Sequence, residues 1–245
     1  MLISRKYKFV LLSNPKCGSS TLREVLAGRS DIASETLLSN IEDQNEVEYM
    51  KRAGIQHWPA NVWKSSFDRV LENDPEGTLG WKDYYTFTTI RNPYKKLVSW
   101  YYFIQPDKNW NTMIGSQWAP HDTSSLYHHH FNDFVEYIFT QEGYHLRLPT
   151  YEYFCTDWST GEQIVDDVFK IEEINESFQD TFWEKTGINV INPLPKLNPD
   201  YKPPSHSVFD SFKGNHYELY NENSKQLISD WYSTDIEKFN YEFGQ

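Results

Sequence analysis

Cysteine is nearly absent from this 245-residue chain, where Cys17 and Cys155 are the only two. Two thiols exclude a disulfide framework and any zinc site built from paired cysteines. Long apolar runs are missing as well: no stretch approaches the roughly 18 consecutive apolar residues of a membrane-spanning helix. The opening MLISRKYKFVLLSNPK passes from a basic start into a short apolar run without a small-residue cleavage site, so the expectation is a cytoplasmic chain with no integral membrane span. Positive charge is scarce. Lys and Arg number 23 against 35 Asp and Glu, a formal net charge of −12, which argues against nucleic acid as a partner and confines anion binding to a local site. No repeat, low-complexity tract or Gly/Ser linker marks a boundary, so 1–245 reads as one domain. What the chain does have is aromatic residues, 17% of the total, enough large apolar side chains to build a core.

The hydrophobic pattern predicts strand-then-helix units. Lys8 to Ser13 (KFVLLS) is short, apolar and bounded by Asn14-Pro15, which predicts a buried strand; Leu22, Val25 and Leu26 recur on one face of a helix over Ser19 to Ala27. The same unit recurs at Tyr84–Ile90, followed after Arg91-Asn92-Pro93 by a helix over Tyr94 to Ile104, with Asn92 as N-cap and Pro93 as a good first helical residue. Asp166 to Ile171 predicts another strand and Glu173 to Thr186 a helix closed by Gly187. Such alternation implies an α/β protein with a parallel sheet. Five prolines in Asn192–Ser207 predict an ordered loop, and the tail from Asn215 to Asn240 returns to helical spacing, with Tyr217, Tyr220, Leu227, Ile228 and Trp231 expected in the core. The aromatic-rich, irregular stretch 105–162 is where an insertion forming an acceptor pocket is expected.

Two motifs carry the chemistry. Asn14-Pro15-Lys16-Cys17-Gly18-Ser19-Ser20-Thr21 lies between the first strand and its helix, where exposed backbone N–H groups and the helix dipole favour a phosphate or sulfate. Lys16 adds a charge, Gly18 a close backbone approach, and Ser19, Ser20 and Thr21 hydroxyls. Lys16 precedes Gly18, so this is not the Gly-Lys-Ser/Thr order of an ATP- or GTP-binding loop. A capped helix start that happens to contain lysine is the plainer reading of this segment alone. The second motif, Arg91-Asn92-Pro93-Tyr94-Lys95-Lys96-Leu97-Val98-Ser99-Trp100-Tyr101-Tyr102-Phe103, puts another cation at the C-terminal end of a strand, with Ser99 about two turns into the helix.

Together, PKCGSST and RNPYKKLVSWYYF resemble the sulfotransferase superfamily that uses 3′-phosphoadenosine 5′-phosphosulfate (PAPS), most closely the carbohydrate-type branch that includes the heparan sulfate 2-O-sulfotransferases. The resemblance continues in VFKIEEI (168–174), LPKLN (194–198) and DIEKFNYEF (235–243), with Lys96 standing where many relatives carry Arg and Pro199 where they carry Ser. It implies a P-loop-type three-layer fold with a central, mostly parallel sheet flanked by helices. It also implies that Lys16, Cys17, Gly18, Ser19, Ser20 and Thr21 hold the 5′-phosphosulfate, that Arg91 and Ser99 clamp the 3′-phosphate, and that 3′-phosphoadenosine 5′-phosphate (PAP) is the product, with no metal.

Sulfuryl transfer needs an in-line nucleophile, neutralisation of the leaving group and a base for the acceptor proton. Lys16 is the expected electrostatic catalyst. His57, in QHWPANVWK between the two motifs, resembles the basic histidine of the carbohydrate branch, and an ordinary imidazole near pKa 6.5 suits the task; a hydrogen-bonded structural histidine beside two tryptophans is the alternative. His121 and His128-His129-His130 read as pocket lining or a polar loop, since adjacent residues give poor ligand geometry. Glu172 and Glu173 read as structural partners of a cation, and Trp58, Trp63, Trp100, Trp110 and Trp118 as core before stacking surfaces. With basic residues gathered near the motifs and acid elsewhere, the expected acceptor is the hydroxyl of a neutral or weakly charged carbohydrate or glycoconjugate. A kinase-like phosphotransferase and a non-catalytic nucleotide- or glycan-binding protein are the competing readings.

Overall fold

A computed structural model of the chain describes residues 1–33, 57–70, 80–104, 130–141, 143, 147–190, 193–194 and 216–244. They fall into two compact units, one from Met1–Arg91 and Tyr151–Leu197, the other from Asn92–Thr150 and Asn198–Gln245.

The first unit is a sheet with helices. Its described strands are β1 (Leu2–Ser4), β2 (Phe9–Leu12), β3 (Ile32–Ala33), β4 (Tyr85–Ile90) and β5 (Asp167–Lys170), in the order β3-β1-β2-β4-β5. β2, β4 and β5 run parallel, with Leu12 opposite Thr88 and Thr88 opposite Val168. β1 is antiparallel to both β2 and β3, an edge that the sequence pattern did not foretell. β2 and β4 are buried at every position, as strands covered on both faces must be. Phe9, Leu11 and Phe87 share one face with Phe178 and Phe182, and Phe87 lies 5.3 Å from Phe182 and 5.6 Å from Phe178 between ring centroids. Full burial of such a ring contributes about 2–3 kcal/mol relative to leaving it in water.

The helices of this unit are α1 (Ser19–Ala27) after β2, α2 (Ala60–Val70), α5 (Tyr151–Cys155) and α6 (Ile174–Thr186) after β5. α6 ends on Gly187 in the left-handed conformation (φ +69°), as the glycine there predicts. Phe67 of α2 meets Tyr84 and Trp81 edge-on at 5.1 and 5.4 Å.

The second unit contains α3 (Pro93–Ile104), α4 (Phe131–Ile138), α7 (Glu222–Trp231) and α8 (Ser233–Phe239). Asn92 caps α3 as expected: its Oδ1 accepts from Tyr94 N–H at 3.1 Å, while its Nδ2 donates to the Glu242 carbonyl at 3.0 Å. Lys96 is buried, donating from Nζ to the Pro149 carbonyl at 2.6 Å above the Tyr232 ring. Phe131, Phe134, Val135 and Ile138 of α4 pack with Leu97, Tyr101, Ile228 and Tyr232.

Two expectations need correcting here. The stretch 105–162 is not wholly irregular, because it contains α4 and α5; the i, i+3, i+4, i+7 spacing of the four α4 core residues is a helical signal. Trp231, expected in the core, is 42% exposed and lies over the Arg147 guanidinium, 4.5 Å from its carbon. Tyr217, Tyr220 and Leu227 are partly buried against the core and Ile228 fully buried, as read. Most of the proline-rich stretch, including Lys196 and Pro199, lies outside the described residues, as do His121, His128, His129, Trp110 and Trp118.

Candidate functional site

β2 delivers the chain into the turn Asn14–Gly18, and α1 starts directly after it. The turn is built on two left-handed residues, Lys16 at φ +60° and Gly18 at φ +78°. A β-carbon on Gly18 would fall 2.4 Å from Ile171 Cδ1, the residue that follows β5. Glycine is therefore demanded twice, by the backbone and by the neighbour. Gly18→Ala is expected to cost roughly 2–4 kcal/mol, read as a shift of the urea midpoint; an unchanged midpoint would contradict the close seating on Ile171.

Gly18 offers no side-chain cap, so the N–H groups of Ser19 and Ser20 begin α1 without an acceptor inside the helix. Thr21 N–H turns back to the Gly18 carbonyl at 3.1 Å, and Cys17 N–H reaches the Asn14 carbonyl at 3.4 Å. The Cys17 thiol is buried and points to the Pro15 carbonyl. The turn thus presents Lys16, Ser19 and Ser20, while Cys17 and Thr21 shape it through their backbone bonds.

Arg91, at the tip of β4, donates from Nη1 to the Lys16 carbonyl at 3.3 Å. This contact links the residue at the tip of β4 to the turn that precedes α1. Burial first, and the neighbouring Arg91 charge second, push the Lys16 ammonium down to about 7. Like charges that feel one another disfavour the charged lysine, so an anion bound beside both would restore it. In the second unit, α3 carries the partly buried Ser99.

His57 stands in the turn before α2, and its Nδ1 donates to the Ser13 carbonyl at 2.7 Å. A carbonyl can only accept, so the tautomer is set: Nδ1 carries the hydrogen and Nε2 the lone pair. Burial is the main cause that pushes the imidazole down to about 4, and the charges of Arg23 and Lys16 act in the same direction. This corrects the ordinary value assumed from sequence. It also puts His57 within electrostatic reach of Lys16, as Lys16 is of Arg91. Three contributors were missed: the Ser13 carbonyl, which no side-chain motif reveals, the N-terminal ammonium, and Arg23 within α1.

The remaining candidates have structural settings. Glu173 pairs with Lys170 at 3.0 Å, as an acid supporting a cation. Trp63 and Trp100 are core residues, and Trp58 lies tilted against Trp63 with ring centroids 5.5 Å apart. His130 is an exposed residue ahead of α4. Among the described residues no group of His, Cys, Asp or Glu could hold a metal ion, and no helix is long and apolar enough to cross a membrane.

No curated protein and no solved structure matches the chain. A family model described as "Sulfotransferase family" matches residues 1–242, nearly the full length, and with an anion turn of this construction the chain belongs to the sulfotransferase family.

Proposed function

We propose that this protein transfers a sulfuryl group from PAPS to a hydroxyl of a carbohydrate or glycoconjugate, in the manner of the heparan sulfate 2-O-sulfotransferase branch. The observation that carries the reading is the Arg91–Lys16 contact, which joins the strand-tip cation of the second motif to the anion turn of the first. Lys16 and the N–H groups of Ser19 and Ser20 would hold the 5′-phosphosulfate, and Arg91 with Ser99 the 3′-phosphate. Bound there, PAPS supplies the activated sulfuryl group. Lys16 neutralises charge on the departing oxygen, and His57 Nε2 takes the proton of the acceptor hydroxyl. Lysine, guanidinium and backbone amides provide that neutralisation within the chain itself. The overall charge of −12 favours a neutral or weakly charged acceptor.

The test is an acceptor screen with labelled PAPS alongside calorimetry of PAP. Arg91→Ala is expected to weaken PAP binding roughly 100-fold, the loss of a charge-assisted contact of about 2–3 kcal/mol. Arg91→Lys restores only part of it, because a point charge replaces a planar fork. Unchanged PAP affinity in Arg91→Ala would remove the assignment of Arg91 to the nucleotide.

A further inference from the structure

Among the described residues of the sheet unit outside α6, Tyr153 and Trp158 are the most exposed large aromatics, at 51% and 50%, yet both are fixed. Their rings stack at 5.1 Å with an interplanar angle of 23°, and Trp158 Nε1 donates to the Tyr153 carbonyl at 2.9 Å. The turn beneath them is stiff. Asp157 N–H donates to the Glu162 carbonyl at 2.8 Å and Gly161 N–H to the Asp157 carbonyl at 2.7 Å. The Asp157 carboxylate takes both the N–H and the hydroxyl of Ser159, at 2.9 and 2.6 Å, and a Thr156–Gln163 bridge closes the base. Neither ring belongs to a core cluster. Isolated exposed aromatics are ordinary; here two stacked rings, with the indole donor already used, hold their outer faces and edges ready in water.

The chemistry around the platform selects its occupant. An aromatic face carries the negative side of a quadrupole, which suits the C–H face of a pyranose ring. The rim is polar: the carboxylates of Glu152 and Glu162 on the same helix and turn can accept from ring hydroxyls, while Asp157 and Ser159 hold the turn itself. Three carboxylates disfavour a sulfated or uronic polymer. The location also fits. Asp157 meets Lys64 of α2 at 3.6 Å, and α2 begins three residues after His57. We infer that Tyr153 and Trp158 form a subsite for a neutral saccharide ring, remote from the ring that carries the reacting hydroxyl. This deepens the carbohydrate reading above and rests on it.

Binding is measured by saturation-transfer NMR and tryptophan fluorescence with maltotetraose, cellotetraose and chitotetraose, without nucleotide. At least one of them should bind the unaltered protein. Trp158→Ala should weaken it about tenfold, Trp158→Phe much less, and neither should alter the Kd for PAP. Should Trp158→Ala fail to fold, the comparison of Trp158→Phe with Tyr153→Ala decides in its place. The subsite is overturned if none of the three sugars binds, if binding ignores the substitutions, or if sedimentation shows the pair buried in a Trp158-dependent dimer. Saccharide binding without any transfer of labelled sulfate would instead sink the enzymatic reading and leave the subsite standing.

Discussion

Lys16→Ala should lower turnover by roughly 10²–10³-fold, the usual loss when one preorganised donor to a developing anion is removed. The pH dependence of nucleotide binding gives this prediction its specificity. Burial and the adjacent Arg91 hold the Lys16 ammonium near 7 before any anion arrives. A bound polyanion favours the charged form and raises that value, so binding takes up a proton. Below pH 7 the ammonium is already present and affinity is flat on this account. Above pH 7 the free protein must first be protonated, and the Kd for PAP should rise about tenfold per pH unit. Lys16→Arg should bind without that alkaline slope, because guanidinium keeps its charge. Calorimetry in buffers of different ionisation enthalpy counts the proton directly. A slope that persists in Lys16→Arg would assign it to another group.

The second large effect belongs to His57. Removing it should reduce kcat/KM by roughly 10²–10⁴-fold while leaving the Kd for PAP unchanged. With the imidazole pushed down to about 4, the acid limb of kcat/KM should lie near pH 4 and the alkaline limb, set by Lys16, near pH 7. An acid limb at the ordinary histidine value would contradict the buried setting. The same depression governs stability. Between pH 6.5 and 4 the unfolded chain takes up a proton that the folded imidazole refuses, so stability falls with acidification over that window by about 3 kcal/mol. His57→Asn should lose most of this acid sensitivity in urea titrations at pH 7 and 4.5.

Local signals in the sequence located the elements around these motifs. The helix read over Ser19 to Ala27 has those bounds in the structure, and β2, β4 and β5 differ from their expected spans by no more than one residue at either end. These elements are legible because each couples a buried apolar run to a neighbouring Gly, Pro or Asn signal. The antiparallel edge was not. β1 and β3 have only three and two residues, too short to show a period, and their pairing depends on distant contacts such as Asp31 N–H to the Ile3 carbonyl and the Arg5–Asp31 ion pair. His57 illustrates the same division. Its residue type and motif pointed to a base, but its tautomer and its low affinity for protons come from a carbonyl 44 residues away and from burial, neither of which local spacing encodes. Trp231 was misread because helical spacing cannot show that Arg147, far off in the chain, would accept its ring outside the core.

The imidazole is moored to the Ser13 carbonyl, and the ammonium belongs to Lys16, three residues further along. On the mechanism proposed above, that short stretch of backbone would serve as a ruler between the proton acceptor and the group that receives the leaving charge. Lengthening or shortening it by a single residue should throw the two out of step, because it moves Lys16 relative to the Ser13 carbonyl. Grafting a differently spaced phosphate loop onto this scaffold should therefore yield a protein that still grips nucleotide but has lost the alignment needed to pass its cargo on.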